Sequence, residues 1–579
     1  MSLSGTSGRP AWLPLQSQSR VDQDPLLPTH EFSPSVENEE DYEIERFSEK
    51  KESWRQRLWR YKWYSLVVPL SLLALVLLGS RRASKPSQPE REKPPHPTTL
   101  PNLAASPHTK IDLLLSSQSS TLAQATSRYR LRNGREPPPN FSQWFDYARE
   151  HSCLIDEYHQ IAQDFEPFYQ LAKEDPEYFK RMLSKASDIV HANGLGMTTG
   201  AFENGAFKYT DFHGVMYTNS WPRTFGRLAP FMPNMSLVLN SRDEPRVLFN
   251  HRKILPDMKH QALVETDPHP FHHSPTPTDQ YFRDEMGCLI PNAPKGFTDP
   301  GNNSSAFMLY SSSTEFTTSL YPVLSVTKIS PCFSDLVVPS EFYYSDSEFA
   351  AFYAYKDNVD WRKKEEKLYW RGSSTGGHIY NDNYHHFPRF KLVDISRTER
   401  GGPLMDVALS AFHDYLCGAG CDARVLMEKY GAVRAGTEVK RPREEVYKYK
   451  YLMDVDGNSF SGRYIGLLKS GSLVFKSTVF TEFFSQWLVP FEHYIPVLPD
   501  LSDLLDKIEW AKNNDAEARA IQKAGKEFAE RVLTDGQMDC YFALAMLEWG
   551  RLQAMAEAAE EARVKTDKGK SKGEGEALD

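Results

Sequence analysis

The chain has 579 residues, 40% hydrophobic and 12% aromatic, which suffices for one large two-lobed core or two to three domains and excludes a wholly disordered protein. Its 68 basic and 77 acidic side chains leave a net charge of −9, so no bulk cationic field points to nucleic acid as a partner. The six cysteines, Cys153, Cys288, Cys332, Cys417, Cys421 and Cys540, include no C-x-x-C pair of the kind a structural zinc or redox motif uses. A few disulfides and buried free thiols both fit this pattern, and Cys417 and Cys421 are close enough for a local bridge.

Residues 1–62 are polar and read as a cytosolic tail. They are followed by a charge-free run, WYSLVVPLSLLALVLLG (63–79), and a transmembrane helix is predicted over 63–80. Basic residues flank both sides of it, so they orient the span only weakly, towards a cytosolic N-terminus. The sequons at Asn140, Asn234, Asn302 and Asn303 all follow the span, which suits a lumenal body. Residues 81–128 are rich in Pro, Ser, Thr and Gln, a composition expected of a stem. The body divides into an N-terminal lobe, 129–355, and a C-terminal lobe with closing helices, 356–553. A charged tail, 554–579, ends as a fraying helix.

Within the body, residues 140–172 carry apolar positions at helical spacing. Short β-type runs follow: MSLVLN (235–240), YPVLSVTKI (321–329), KLYWRG (367–372), YKYLMDV (449–455) and SLVFK (472–476). Alternation with helical runs predicts parallel α/β layers. The last unit reads strand, turn (DGNSFSGR), short helix (YIGLLKSG), strand, and a further helix opened by TVFTEFFSQ. In such sheets ligands lie beyond the carboxyl ends of the strands, where Gly457 and Gly462 would let a backbone approach a phosphate and Arg463 could pair with it. LYWRGSSTGG (368–377) is a second strand running into an oxyanion-holding turn, and NSRDEP (240–245) puts Asp243 at the end of a strand. Each motif alone also reads as ordinary turn chemistry. His260, His269, His272 and His273 lie among prolines without i, i+4 spacing and read as a solvated loop.

Taken together and in order, these segments resemble the glycosyltransferase family 90 domain, the capsule-associated type of fungi related to the protein O-glucosyltransferases, over residues 134–549. The resemblance implies a GT-B type α/β fold with two Rossmann-like lobes facing a cleft. It also implies inverting, metal-free and cofactor-free transfer of xylose or glucose from a UDP-sugar to a glycan hydroxyl, with protein hydroxyls second. Asp243 matches the family's general base. Donor-binding positions carried over are Arg371, Gly372, Ser373, Thr375, Gly376, Arg389, Gly457, Ser461, Arg463 and Ser472, with Glu482 on the ribose. Where many relatives have His-Arg-x-Arg-Phe, this chain has HFPRF (386–390), so only Arg389 is retained there. Ser374 replaces an arginine of the protein glucosyltransferases, which points to the fungal polysaccharide branch. Implied partners are the UDP-sugar donor, a glycan or glycoprotein acceptor and the Golgi or ER membrane through one helix. Two rival readings are a metal-dependent transferase using Asp454 and Asp456, whose Asp-x-Asp form suits manganese, and a non-catalytic descendant that binds glycans or organises other transferases.

Overall fold

The computed structural model describes residues 107–194, 196–212, 220–247, 249, 271–273, 315–317, 319–330, 333–347, 357–437 and 443–575. The expected membrane helix, the sequons at Asn302 and Asn303, Cys288, Cys332, His260 and His269 lie outside them. Among the described residues no helix is long and apolar enough to cross a membrane.

Among the described residues, helical structure begins at Pro107, inside the segment read as stem. Helix α1 (Pro107–Ser116) carries the apolar run around Ile111, which is buried, and packs against a late helix; α2 (Leu122–Asn133) follows. The Thr121 hydroxyl caps α2 by accepting from the Gln124 N–H, and Gly134, at φ 62°, ends it in the left-handed conformation that glycine adopts without penalty. The predicted 140–172 helix is two helices, α3 (Phe141–Glu150) and α4 (His159–Ala172), followed by α5 (Tyr178–Asn193).

The first sheet is mixed, in order β2-β1-β3-β6-β7: β1 (Met197–Glu203), β2 (Ala206–Phe212), β3 (Met235–Asn240), β6 (Leu324–Ser325) and β7 (Leu336–Val337). Only β3, β6 and β7 run parallel; β1 is antiparallel to both neighbours. Helix α6 (Trp221–Leu228) lies between β2 and β3 in sequence, and β4 (Phe271–His273) pairs with β5 (Glu315–Thr317) as a separate antiparallel ribbon. The run 321–329 is buried throughout yet forms only two residues of strand. Its remaining backbone serves other contacts: Lys328 exchanges both backbone hydrogen bonds with Thr481 of the second sheet's periphery.

The second sheet is wholly parallel, in order β10-β9-β8-β11-β12-β13. It comprises β8 (Glu365–Ser373), β9 (Met405–Phe412), β10 (Val433–Arg434), β11 (Tyr449–Val455), β12 (Leu473–Ser477) and β13 (Ile495–Pro496). Crossover helices α7 (Pro388–Ser396), α8 (Ala423–Tyr430) and α9 (Tyr464–Lys469) join successive strands. β11 is buried along its whole length, as expected of a strand covered on both faces. Counted from β8, the order is 3-2-1-4-5-6, the doubly wound Rossmann arrangement, with its switch point between β8 and β11. Of the two expected Rossmann-like lobes, this one has that topology; the first sheet, with its antiparallel β1–β2 edge, does not.

After α10 (Leu504–Asn513) and α11 (Asp515–Arg531), the chain returns to the N-terminal helices through α12 (Asp535–Gly575), which packs on α3, α4 and α5. The Trp549 indole N–H donates to the Ser236 carbonyl, the Trp144 indole N–H donates to the Cys540 carbonyl, and Cys153 and Cys540 form a disulfide. The closing helix therefore belongs to the first lobe's core. A second disulfide joins Cys417 and Cys421, so every cysteine among the described residues is bridged.

Candidate active site

The switch point fixes where to look: the turns after β8 and β11. The first turn, Ser373–Gly377, is held by Arg389 near the start of α7. Its Nη1 donates to the Ser373 carbonyl at 3.0 Å and to the Thr375 hydroxyl at 2.5 Å, and its Nε donates to the Asp456 carbonyl at 2.9 Å. One guanidinium thus ties the two turns together. Gly457 sits where a Cβ would fall 2.7 Å from Arg389 Nη2 and 3.0 Å from the Thr375 hydroxyl oxygen, so any larger residue would displace this pair. The Gly376 N–H donates to Asn458 Oδ1 at 3.1 Å, and Gly376 and Gly377, at φ 121° and 146°, take a backbone that side-chain-bearing residues rarely adopt.

Arg463, the residue before α9, donates from Nη1 to the Arg371 carbonyl at 2.8 Å, while its buried Nη2 has no hydrogen-bond partner among the described residues. The Ser459 and Ser461 hydroxyls are in the same condition. Orphaned buried donors are costly in a folded protein, and here they cluster in one turn at the sheet's switch point, as expected where a polar ligand completes the bonding. The guanidinium carbons of Arg389 and Arg463 lie 5.6 and 5.9 Å from the Trp370 ring centroid, so one buried indole supports both cations.

The remaining residues expected on the donor side have partners within the protein. Arg371 does not face the turns: strand alternation turns it back onto Asp406, 2.5 Å from its carboxylate, and over the Tyr369 ring. Gly372 makes room for the Trp370 indole, 2.4 Å from where a Cβ would be, and Gly462 for the Phe342 ring. Ser472 precedes β12 at the amino end of the sheet, away from the switch-point turns, where its hydroxyl donates to the Tyr449 carbonyl at 2.7 Å and accepts from Lys364 at 3.1 Å. Ser374, the position of the missing arginine, is buried, its oxygen accepting from the His413 N–H at 2.9 Å.

Glu482 does not open a helix. Thr481 bridges to Lys328, Glu482 is drawn inside and residues 483–487 are turns. It joins a buried cluster with Asp454, Asp456, Lys476 and Tyr343. Lys476 Nζ lies 2.9 Å from Asp454 and 3.5 Å from Glu482, and sits 3.8 Å from the Tyr464 ring centroid; the Tyr343 hydroxyl donates to Glu482. Burial, opposed by Lys476, pushes the Asp456 and Glu482 carboxyls up to about 7. The Asp-x-Asp pair therefore has the chain's own ammonium beside it, and the described residues contain no group of metal-ligating side chains arranged to hold an ion.

Asp243 comes from the other sheet. The loop after β3 is closed by Asn240, whose amide donates to the Glu244 carbonyl at 2.5 Å and to Ser325 at 3.2 Å, and whose Oδ1 accepts from the Arg242 N–H and Arg246 Nε. Asp335 accepts from the Arg246 and Val247 N–H groups below. Thus Asn240, Pro245 and Arg246 are scaffold, and Asp243 is left half-buried at the tip while Glu244 turns inside. Burial and then the neighbouring Asp243 charge push the Glu244 carboxyl up to about 7.

Sequence reasoning missed Tyr415, on the short turn after β9. Partial enclosure, and then the Glu244 and Asp243 charges, push its phenol up, opposed by Asn458 and Arg389. No motif marks Tyr415; only its position after a strand's carboxyl end could have singled it out.

Residues 344–570 match the family described as "Glycosyl transferase family 90"; Asp243 lies before this stretch. The chain is 33% identical over 195 residues to Protein O-glucosyltransferase 2 of Danio rerio, covering 33% of this chain and 34% of that protein. It is 38% identical over 111 residues to Protein O-glucosyltransferase 3 of Homo sapiens, covering 19% and 22%, and 38% identical over 105 residues to Protein O-glucosyltransferase 1 of Rattus norvegicus, covering 18% and 27%. The matches span about a third or less of these curated relatives. A sucrose-phosphate synthase from Thermosynechococcus elongatus aligns over 39% of this chain and 53% of that one at 18% identity, with a TM-score of 0.24, too low to bear on the fold.

Proposed function

We propose that this chain, which carries a glycosyltransferase family 90 domain at residues 344–570, is an inverting glycosyltransferase of GT-B type that moves glucose or xylose from a UDP-sugar onto a hydroxyl of a glycan or glycoprotein. The observation that carries the reading is the pair of turns after β8 and β11, tied together by Arg389 and holding unpartnered buried donors from Arg463, Ser459 and Ser461 within the stretch that matches the family.

In this reading the Asp243 carboxylate takes the acceptor hydroxyl's proton as that oxygen attacks the anomeric carbon. The bond from that carbon to the diphosphate oxygen breaks on the opposite face, and UDP leaves with the electron pair. Arg389, Arg463 and the Gly376 turn hold the charge that develops on the diphosphate. Lys476, 2.9 Å from Asp454, supports a reading in which the Asp-x-Asp pair holds no metal. The relatives named as protein O-glucosyltransferases favour glucose as the donor sugar and give protein hydroxyls more weight as acceptors than Ser374 alone suggested. Residues 63–80 anchor the chain as a type II protein of the Golgi or ER membrane, with the catalytic body lumenal.

The test is UDP release by the full chain in detergent against a panel of nucleotide sugars, with and without EDTA. The reading expects release from UDP-glucose or UDP-xylose that EDTA leaves unchanged. Complete loss in EDTA with recovery on adding manganese would overturn the metal-free mechanism in favour of the Asp454/Asp456 alternative.

A further inference from the structure

Two sequons fall among the described residues, Asn140-Phe-Ser and Asn234-Met-Ser, and the fold treats their carboxamides in opposite ways. Asn140 is half-buried at the start of α3, in the left-handed conformation at φ 64°, and its Nδ2 donates to the Phe231 carbonyl at 3.0 Å. Asn234 is exposed on the turn before β3. Its Oδ1 accepts at 2.9 Å from the N–H of Asn204, at the tip of the hairpin that joins β1 to β2.

A carboxamide carries an acceptor on one branch and donors on the other, so the partner fixes which branch faces it. A backbone carbonyl demands nitrogen, and Asn140 therefore turns into the protein the atom that a glycan would occupy. A backbone N–H demands oxygen. Asn234 therefore commits its oxygen to the hairpin, and among the described residues no hydrogen bond engages its Nδ2.

The rest of each sequon follows the same division. Phe141 is buried with its ring stacked 5.0 Å from that of Trp144, which fixes the start of α3 against the core. Ser236 is exposed, and its backbone is held in place: the N–H donates to Gln553 Oε1 at 3.2 Å, and the carbonyl accepts from Trp549 and Gln553 at 2.8 Å each. Asn234 and Asp243 also lie beyond opposite ends of β3, six residues long and so about 20 Å along the strand. An oligosaccharide on Asn234 leaves the loop that carries Asp243 open.

We propose that Asn234 is an N-glycosylated residue of this protein and that Asn140 is not. In that modification the Asn234 Nδ2 bonds to the anomeric carbon of an oligosaccharide carried on a lipid diphosphate. The bond from that carbon to the diphosphate oxygen breaks, the lipid diphosphate leaves with the electron pair, and one amide proton passes to the transferring enzyme. The inference rests on the lumenal reading of the body given above.

The experiment expresses the full chain in eukaryotic cells and isolates the folded protein in detergent by size exclusion. Peptide N-glycosidase F in heavy-oxygen water then turns each occupied asparagine into a mass-labelled aspartate. Peptide mapping is expected to find the label at Asn234 in most molecules and unmodified asparagine at Asn140. Asn234→Gln and Ser236→Ala each remove one glycan's shift on electrophoresis, the second with the Asn204 contact kept, whereas Asn140→Gln removes none. Unmodified Asn234 in the folded wild type, or equal labelling at Asn140, overturns the inference. If no asparagine of the chain is labelled the inference also falls, and protease treatment of sealed microsomes decides the reading beneath it. A protected body leaves the lumenal topology standing, and a digested body contradicts it.

Discussion

Replacing Lys476 by methionine removes the one cation from a buried cluster of three carboxylates. Its ammonium lies 2.9 Å from Asp454 and 3.5 Å from Glu482, with Asp456 also acting on it, and all four side chains are buried. Removing one partner of a buried pair typically costs about 3–5 kcal/mol, because the remaining charge is left uncompensated. The pH dependence follows from Asp456 and Glu482, raised from ordinary values of 3.8 and 4.5 to about 7. Between those values the folded wild type holds protons that the unfolded chain has released, so this cluster's contribution to stability falls as pH rises through that window. Without Lys476 the carboxyls must stay protonated to remain buried, so the variant loses most at alkaline pH and least near pH 5. Guanidinium titration followed by tryptophan fluorescence at pH 8 and pH 5 measures this. A destabilisation below about 1 kcal/mol at pH 8, the range of an exposed pair, would refute the argument, as would an equal loss at both pH values.

Gly457→Ala drives a methyl group to 2.7 Å from Arg389 and 3.0 Å from Thr375; UDP affinity measured by calorimetry should fall at least about tenfold, while the melting temperature moves by only a few degrees. Gly372→Ala pushes on the buried Trp370 indole instead, and should destabilise by about 1–3 kcal/mol in chemical denaturation through overpacking. Cys153→Ser/Cys540→Ser releases a crosslink spanning 387 residues between the first helices and α12; a loss of about 2–4 kcal/mol is expected, and limited proteolysis should then cut α12 earlier than in the wild type.

How legible the fold was in the sequence depended on where each segment's hydrogen bonds go. YKYLMDV was readable because a strand covered on both faces of a parallel sheet is buried throughout, as β11 is, and KLYWRG because its centre, Leu368–Trp370, is the buried part of β8. YPVLSVTKI looks the same in sequence, yet most of it is irregular, since Lys328 pairs with Thr481 and Asp164 from distant elements. The same long-range pairing made TVFTEFFSQ a turn and drew Glu482 inside. The meeting of Arg389, Thr375, Gly376 and Gly457 in two adjoining turns was legible because short side chains and glycines cluster at the ends of β8 and β11. That Arg371 pairs with Asp406 and Gly372 makes room for Trp370 was not legible, because the motif alone does not register how strand alternation directs each side chain.

The central claim is that Asp243 removes the acceptor proton while the turns after β8 and β11 hold the donor. Asp243→Asn tests both halves in one protein, with UDP affinity and sugar transfer measured side by side. The account predicts UDP binding within about twofold of the wild type and transfer reduced at least about a hundredfold, the lower range of a lost general base. Transfer at the wild-type rate in Asp243→Asn, or UDP affinity lost in parallel with transfer, would contradict it.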